Sequence, residues 1–313
     1  MARIPPAVAA VRLAVRRSLP AGGPVLVACS GGADSLALAA AARFVGDRVG
    51  LVTVDHRLQA GSDRRAAAVA EWAREAGFDP VEVATVSVDG LPGGPEAAAR
   101  AARYAALSAV AARSAAAAVL LGHTRDDQAE TVLLALARGA GPRGLAGMPR
   151  RKGVFVRPLL EVSRADTRKA CAALGLVPWD DPHNVDPAYA RARVRAAAMP
   201  ALVEALGPAV VANLARSAGQ IAADNAALDE LAEAALGTAD HLRVSDLSEM
   251  RRAIRTRVLH SWALRLGAPG AALSHRHVEA LDALITDWHG QGPAYLPGGI
   301  KVARRDGALV RVS

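Results

Sequence analysis

The sequence is poor in cysteine, with Cys29 and Cys171 alone in 313 residues. They lie far apart and form no Cys-x-x-Cys pair, which excludes a disulfide framework and a zinc ribbon and fits a reducing compartment. No window approaches the roughly 20 apolar residues of a membrane span. The segment Val8 to Leu19 is amphipathic and interrupted by Arg12, Arg16 and Arg17, so it does not read as a signal peptide. These absences give a cytoplasmic reading without a membrane partner. Lysine occurs only at Lys152, Lys169 and Lys301, and the net charge of +8 is carried by arginine. That charge suits a polyanionic partner. The same arginine and alanine excess is also the codon bias of a GC-rich genome, so charge is supporting evidence only. There is no internal repeat.

What is present is ample apolar material, 52% of residues, and a length that suggests about two domains at roughly 100–200 residues each. Short Val- and Leu-rich runs at Val25 to Cys29, Val49 to Val54, Val81 to Val86 and Ala118 to Leu121 read as buried parallel strands. They alternate with helical stretches at Ser35 to Val45, Asp63 to Ala76, Pro95 to Ala115 and Asp126 to Arg138. The predicted fold class is α/β, a parallel sheet wound by helices. From about Val203 the pattern becomes helical: Ala209 to Leu236, Ser245 to Leu266 and Ser274 to Asp287. The chain closes on Ile300 to Arg304 and Ala308 to Val312 around Arg305-Asp306-Gly307, a hairpin signal. This gives a catalytic domain over 1–205 and a smaller, mainly helical C-terminal domain over 206–313, ending in a β-hairpin.

Ser30-Gly31-Gly32-Ala33-Asp34-Ser35 joins the first strand to the first helix of the sheet. A strand that turns through glycines into a helix leaves backbone N–H groups pointing outward, an arrangement that takes phosphate. Ser30 and Ser35 add hydroxyls, and Asp34 can hold a divalent cation. No Gly-Lys-Ser/Thr follows, which excludes a Walker loop. The plainer alternative is a Gly-rich turn with a capping side chain.

A second cluster, Gly122-His123-Thr124-Arg125-Asp126-Asp127-Gln128-Ala129-Glu130-Thr131, stands at a strand-to-helix junction. Acids in a first helical turn cap N–H groups and oppose the helix dipole. Here Asp126, Asp127 and Glu130 converge at spacings of three and four. Such a group repels itself unless a cation is near, and a substrate ammonium or magnesium would serve. His123 is equally a structural or a functional histidine. His275-Arg276-His277 lacks a ligand set and reads as ordinary surface.

The Ser30 to Ser35 loop resembles the PP-loop of ATP pyrophosphatases. The wider set of motifs resembles the tRNA(Ile)-lysidine synthetase family. In order these are Ser30 to Ser35, Val54-Asp55-His56-Arg57-Leu58, Glu96 with Ala99-Arg100 and Arg103-Tyr104, and Gly122 to Thr131. There follow Arg138-Gly139-Ala140-Gly141, Gly144 to Met148, Arg157-Pro158-Leu159-Leu160, Trp179-Asp180-Asp181 with Asn184 and Asp186, and Tyr189 through Arg191 and Arg195 to Met199-Pro200. The likeness is dense over the first two-thirds and weak after it. It departs at Arg191-Ala192, where the family commonly has Arg-Asn, and at Leu58-Gln59, where it often has Leu-Arg.

The resemblance implies an adenine nucleotide α-hydrolase-like fold. It implies a ligase that uses ATP with Mg2+ to adenylate the wobble cytidine of tRNA(Ile) bearing the CAU anticodon, after which free L-lysine displaces AMP. The expected ATP-binding residues are Ser30, Gly31, Gly32, Ala33, Asp34, Ser35, Asp55, His56, Gly122 and His123, with Asp34 on the metal. The expected catalytic residues are Asp34, Asp126, Asp127, Glu130, Arg191 and Arg195, and the expected tRNA contacts are Arg100 and Arg103. A homodimer is compatible with the sequence. A PP-loop tRNA thiolation enzyme is disfavoured by the two isolated cysteines. An amidotransferase lacks an N-terminal nucleophilic cysteine, and a binding module without chemistry does not explain Asp34 beside the acidic block.

Overall fold

The computed structural model describes residues 3–55, 57, 61–87, 95–180, 186, 188–238 and 240–312. They fall into two compact units, Met1–Ile221 and Ala222–Ser313.

The first unit opens with α1 (Pro6–Arg16), whose proline at the first helical position suits a site that has no N–H to satisfy. Then come β1 (Val25–Ala28), α2 (Ala33–Val45), β2 (Val49–Asp55), α3 (Ser62–Glu75), β3 (Val81–Thr85), α4 (Pro95–Arg113), β4 (Ala118–Leu121) and α5 (Arg125–Ala137). These match the alternation of apolar runs and helical patterns to within two residues at each end. The periodic reading passed over short or polar elements: α6 (Pro142–Leu145), the hairpin of β5 (Arg151–Lys152) and β6 (Phe155–Val156), and α7 (Arg164–Ala173). After α8 (Ala190–Arg193) the helix widens into a π-helical turn, Val194–Ala198, before α9 (Met199–Leu206). Gly207, at φ +84°, ends α9.

The sheet order is β3-β2-β1-β4-β6-β5, parallel throughout except for the β5–β6 hairpin. Chain order reverses between β1 and β4. The carboxyl ends of those two strands therefore flank the crevice where open α/β sheets bind ligands. One face of the sheet packs Val27, Leu51 and Leu120 against α1, α2 and α7, and the other packs Leu26, Val52 and Val119 against α4.

The long helix α10 (Ala209–Leu236) runs across the division between the units, because 28 residues pass without a break. The second unit then holds β7 (Leu242–Arg243), α11 (Val244–Glu249), α12 (Arg252–Arg265), α13 (His275–Thr286), β8 (Ala294–Leu296), β9 (Ile300–Arg305) and β10 (Ala308–Val312). The expected single helix from Ser245 to Leu266 is two. Met250 and Arg251 are extended, and Arg255 donates to the Met250 carbonyl at 3.0 Å while pairing with the buried Asp282 at 2.6 Å. The region is also not helical throughout: β7 joins β10 at the edge of an antiparallel sheet of order β7-β10-β9-β8. Two residues are too short for a period to be visible. Trp262, Leu259, Leu281 and Leu309 fill its core.

Gly50 sets a packing limit in β2. A Cβ there would stand 2.7 Å from both Leu26 Cδ2 and the Pro80 carbonyl oxygen. Backbone cannot yield as a side chain does, so Gly50→Ala is expected to lower stability by roughly 1–3 kcal/mol, read as a lower urea midpoint with an unchanged slope.

Candidate active site

A cleft of about 730 Å3 opens over the ends of β1 and β4. Its floor is the turn from β1 into α2. Gly31, at φ +83°, takes a backbone conformation that other residues enter only with strain, and a Cβ there would meet Val69 at 3.0 Å. The buried Ser35 hydroxyl ties the loop together, donating to the Gly32 carbonyl at 2.9 Å and accepting from the Ser30 N–H at 3.1 Å. Ser30, Gly32, Ala33, Asp34, Ser35, Gly122 and His123 all line the cleft.

The acidic block divides its labour. Asp127 Oδ2 accepts from the Thr124 N–H at 2.7 Å and from the Thr124 hydroxyl at 2.9 Å, capping α5. Asp127 Oδ1 faces cations instead: Arg164 at 2.9 Å, Arg195 at 3.1 Å and Arg191 at 3.3 Å. Oδ2 thus fulfils the capping reading, and Oδ1 meets the cations that the acidic spacing called for as arginines of the chain itself. Glu130 is buried and meets the same three guanidiniums, Arg195 Nε at 2.8 Å, Arg191 Nε at 2.9 Å and Arg164 Nη1 at 3.2 Å. The charge that neutralises the pair thus comes from the chain itself. Asp126 does not join them; its Oδ2 accepts from the Arg164 backbone N–H at 2.8 Å. Of the three acids only Asp127 lines the cleft, together with Arg191 and Arg195.

Two participants escaped the sequence reading. Arg164 bridges Asp127, Glu130 and Asp34, the last at 3.6 Å, and the Thr167 hydroxyl donates to Asp34 Oδ1. Both stand on the first turn of α7, whose N-cap Ser163 accepts from the Asp166 N–H at 3.1 Å. Ser163-x-x-Asp166 is a legible helix start, which marks α7 in the sequence but not the site that its first turn joins.

Asp55 is buried away from the main cleft. It accepts from the Arg57 N–H at 3.0 Å and the Ser62 hydroxyl at 2.6 Å, and lines a separate cavity of about 530 Å3. His56 lies outside the described residues, as do Leu58, Gln59, Asp181 and Asn184. Arg100 and Arg103 line the cleft from α4 and have no carboxylate partner among the described residues. Both guanidiniums lie near the Tyr104 ring, at 5.0 and 5.8 Å. Ala192, where the family commonly has asparagine, also lines the cleft, and Arg191 beside it keeps its ion pairs without that side chain.

Electrostatics follow from this geometry. Burial raises the Asp34 carboxyl above the usual range, against the Thr167 hydrogen bond, and the nearby Asp127 adds to the rise. Burial alone would raise Asp127 as well, but Arg191 and Arg164 outweigh it and hold it at about 2. Glu130 is lowered too: burial is overcome by its hydrogen bond and charge contact with Arg195. His123 is lowered to about 3, first by burial and then by Arg157, Arg191 and Arg103, against Asp127. It is neutral at physiological pH, and its buried Nδ1 has no hydrogen-bond partner among the described residues.

Asp127 and His123 both have depressed folded values, so each contributes stability above its unfolded value that is lost as pH falls. The window runs from about 6.5 downward for His123 and from about 4 down to 2 for Asp127. Urea midpoints measured from pH 7 to 2.5 are expected to decline in two limbs, and Asp127→Asn should flatten the lower one while leaving the upper.

Comparisons with known proteins show the family. The PP-loop domain family matches residues 13–202, and the TilS substrate binding domain family matches residues 242–310. The tRNA(Ile)-lysidine synthase of Salinispora tropica is 64% identical over 100% of this chain and 98% of its own length. That of Thermobifida fusca is 53% identical over 98% of each chain. Among solved structures, the U34-tRNA thiolase of Methanococcus maripaludis shares the fold with a TM-score of 0.56 at 17% identity, over 69% of this chain and 80% of that one. With a PP-loop unit, a matched substrate-binding unit and curated relatives similar along the full chain, the protein belongs to the tRNA(Ile)-lysidine synthase family.

Proposed function

We propose that the protein ligates L-lysine to carbon 2 of the wobble cytidine in tRNA(Ile) with the CAU anticodon, using ATP and releasing AMP and pyrophosphate. The observation that carries this reading is one cleft that joins a PP-loop to an acid pair enclosed by arginines. Named relatives at 53–64% identity support lysine transfer over thiolation. No single helix among the described residues is long and apolar enough to cross a membrane, consistent with action in the cytoplasm on free tRNA.

The carbonyl oxygen at carbon 2 of cytosine is a poor leaving group until it carries AMP. The Ser30 to Ser35 turn holds the pyrophosphate portion of ATP, and Arg100 and Arg103, with no carboxylate partner among the described residues, suit the charge that develops on the α-phosphate. Asp34 fits a magnesium ion: it is one half-exposed carboxylate facing the cleft, and magnesium is commonly held by one or two carboxylates with substrate phosphates and water. Such an ion would neutralise phosphate charge. No group of three ligating side chains gathers among the described residues, so phosphate and water would complete its shell.

Lysine arrives with an ammonium at each end and one carboxylate. Asp127, on the cleft wall, suits an ammonium, and Arg191 and Arg195, held from behind by the buried Glu130, suit the carboxylate, so the cluster reads a zwitterion. It serves poorly as a base. Moving a proton from an ammonium of pKa ~10.4 to a carboxylate held at about 2 is uphill by on the order of 11 kcal/mol. Asp127 therefore anchors the amino acid, and the proton leaves by another route.

Incubation with ATP, labelled lysine and an unmodified tRNA(Ile) transcript, followed by nucleoside analysis, tests the assignment; label recovered in lysidine supports it, and label absent from cytidine overturns it. Asp34→Ala is expected to abolish pyrophosphate release with the fold retained, since the glycine turn is untouched. Asp127→Asn should separate the half-reactions. Lysine transfer falls ten-fold or more while pyrophosphate release falls little, and adenylated tRNA accumulates. Equal loss of both steps would move Asp127 to the ATP site.

A further inference from the structure

The chain is sparing with aromatic side chains, having Trp 4, Tyr 3 and Phe 3. Yet Tyr104, Trp179 and Tyr189 all line this one cleft. The reaction proposed above requires two planar heterocycles, the adenine of ATP and the target cytosine, on either side of one phosphate. The cleft offers two different places for them.

The first is an apolar slot of Ala28, Val52, Val54 and Leu107, on the α4 side of the sheet, with Tyr104 beside it. It lies among the strand ends and suits a small nucleotide. The second is Trp179, beyond the phosphate loop. Its backbone N–H donates to the Gly31 carbonyl at 2.9 Å, which fixes the residue to the loop that takes pyrophosphate. The Arg65 guanidinium, reaching from α3, lies 3.1 Å from the ring centroid and covers one face. The residue is half-buried and lines the cleft, and a cation stacked on one face of its ring holds it in place.

We infer that Trp179, backed by Arg65, is the stacking platform for the target cytosine, and that adenine occupies the Val52–Leu107 slot. This rests on the reading of an RNA base as substrate. A base swung out of the anticodon loop loses its neighbours and needs a π-face to replace them. The Trp179 ring supplies one, next to the loop that positions the phosphates.

The test compares Trp179→Leu, which keeps apolar bulk and loses the ring, with Trp179→Phe, which keeps a ring. KM and kcat for tRNA in lysine transfer are measured beside direct ATP binding. Trp179→Leu is expected to raise KM for tRNA about ten-fold, the size of a lost base–aromatic stack, with ATP affinity unchanged and Phe restoring most of the loss. An anticodon stem-loop should also quench tryptophan emission in the wild type and much less in Trp179→Phe, a readout that holds even where the Leu variant fails to fold. Weakened ATP binding with tRNA kinetics intact would assign the ring to adenine and overturn the proposal. Unchanged tRNA kinetics in both variants, or an undiminished quench in Trp179→Phe, would overturn it as well. Failure of the parent reading looks different: the wild type itself would then transfer no lysine to tRNA.

Discussion

Five charges fix the architecture of the cleft: Asp127 and Glu130 against Arg164, Arg191 and Arg195. They tie α5 to the first turn of α7, to α8 and to the π-helical turn, elements far apart in sequence. Each close pair gains about 4 kcal/mol at an effective dielectric near 20. Desolvation opposes this gain, so the cluster is weak evidence for stability and strong evidence for position. Remove one acid and three guanidiniums repel across the space where a substrate must fit.

The π-helical turn belongs to the same constraint. Arg191 and Arg195 are four residues apart and both reach Glu130, one from α8 and the other from the widened turn. Single π-helical turns within α-helices are rare and frequently stand at functional sites. Here the turn carries the second of two arginines converging on one carboxylate, which gives the distortion a local purpose.

Much of this was legible in the sequence, and what was missed has physical causes. The strands at Val25, Val49 and Ala118 announce themselves because buried parallel strands are near-continuous apolar runs, whereas the one at Val81 is a half-exposed edge strand that carries Glu82 and is read from its valines. The phosphate loop and the acidic block are local in sequence, so Asp34 and Asp127 could be found by spacing. Arg164 could not: its role depends on α7 returning to the sheet opposite α5, and nothing local distinguishes it from the other arginines of an arginine-rich chain. Asp126 shows the converse. Spacing placed it with Asp127 and Glu130, while its carboxylate went to a backbone N–H of α7. The break at Met250 was hidden because the residues on both sides form helix, while the contacts beside it are tertiary: Arg255 pairs with Asp282 and donates to the Met250 carbonyl.

The charge state of the site constrains its chemistry more than its list of residues does. Asp127 at about 2 and His123 at about 3 remain carboxylate and neutral imidazole throughout the physiological range. Neither is poised near neutral pH, where a general acid or base works best. Asp34, raised by burial, lies in the phosphate loop, where a cation would favour its charged form. On the proposed reading, a site with its charges held so firmly would work by preorganisation, its fixed guanidiniums and N–H groups meeting phosphate and zwitterion charges without rearrangement. Transfer of AMP to a carbonyl oxygen and its later displacement both shift negative charge over phosphate oxygens, and a rigid field of this kind stabilises such charge without titrating.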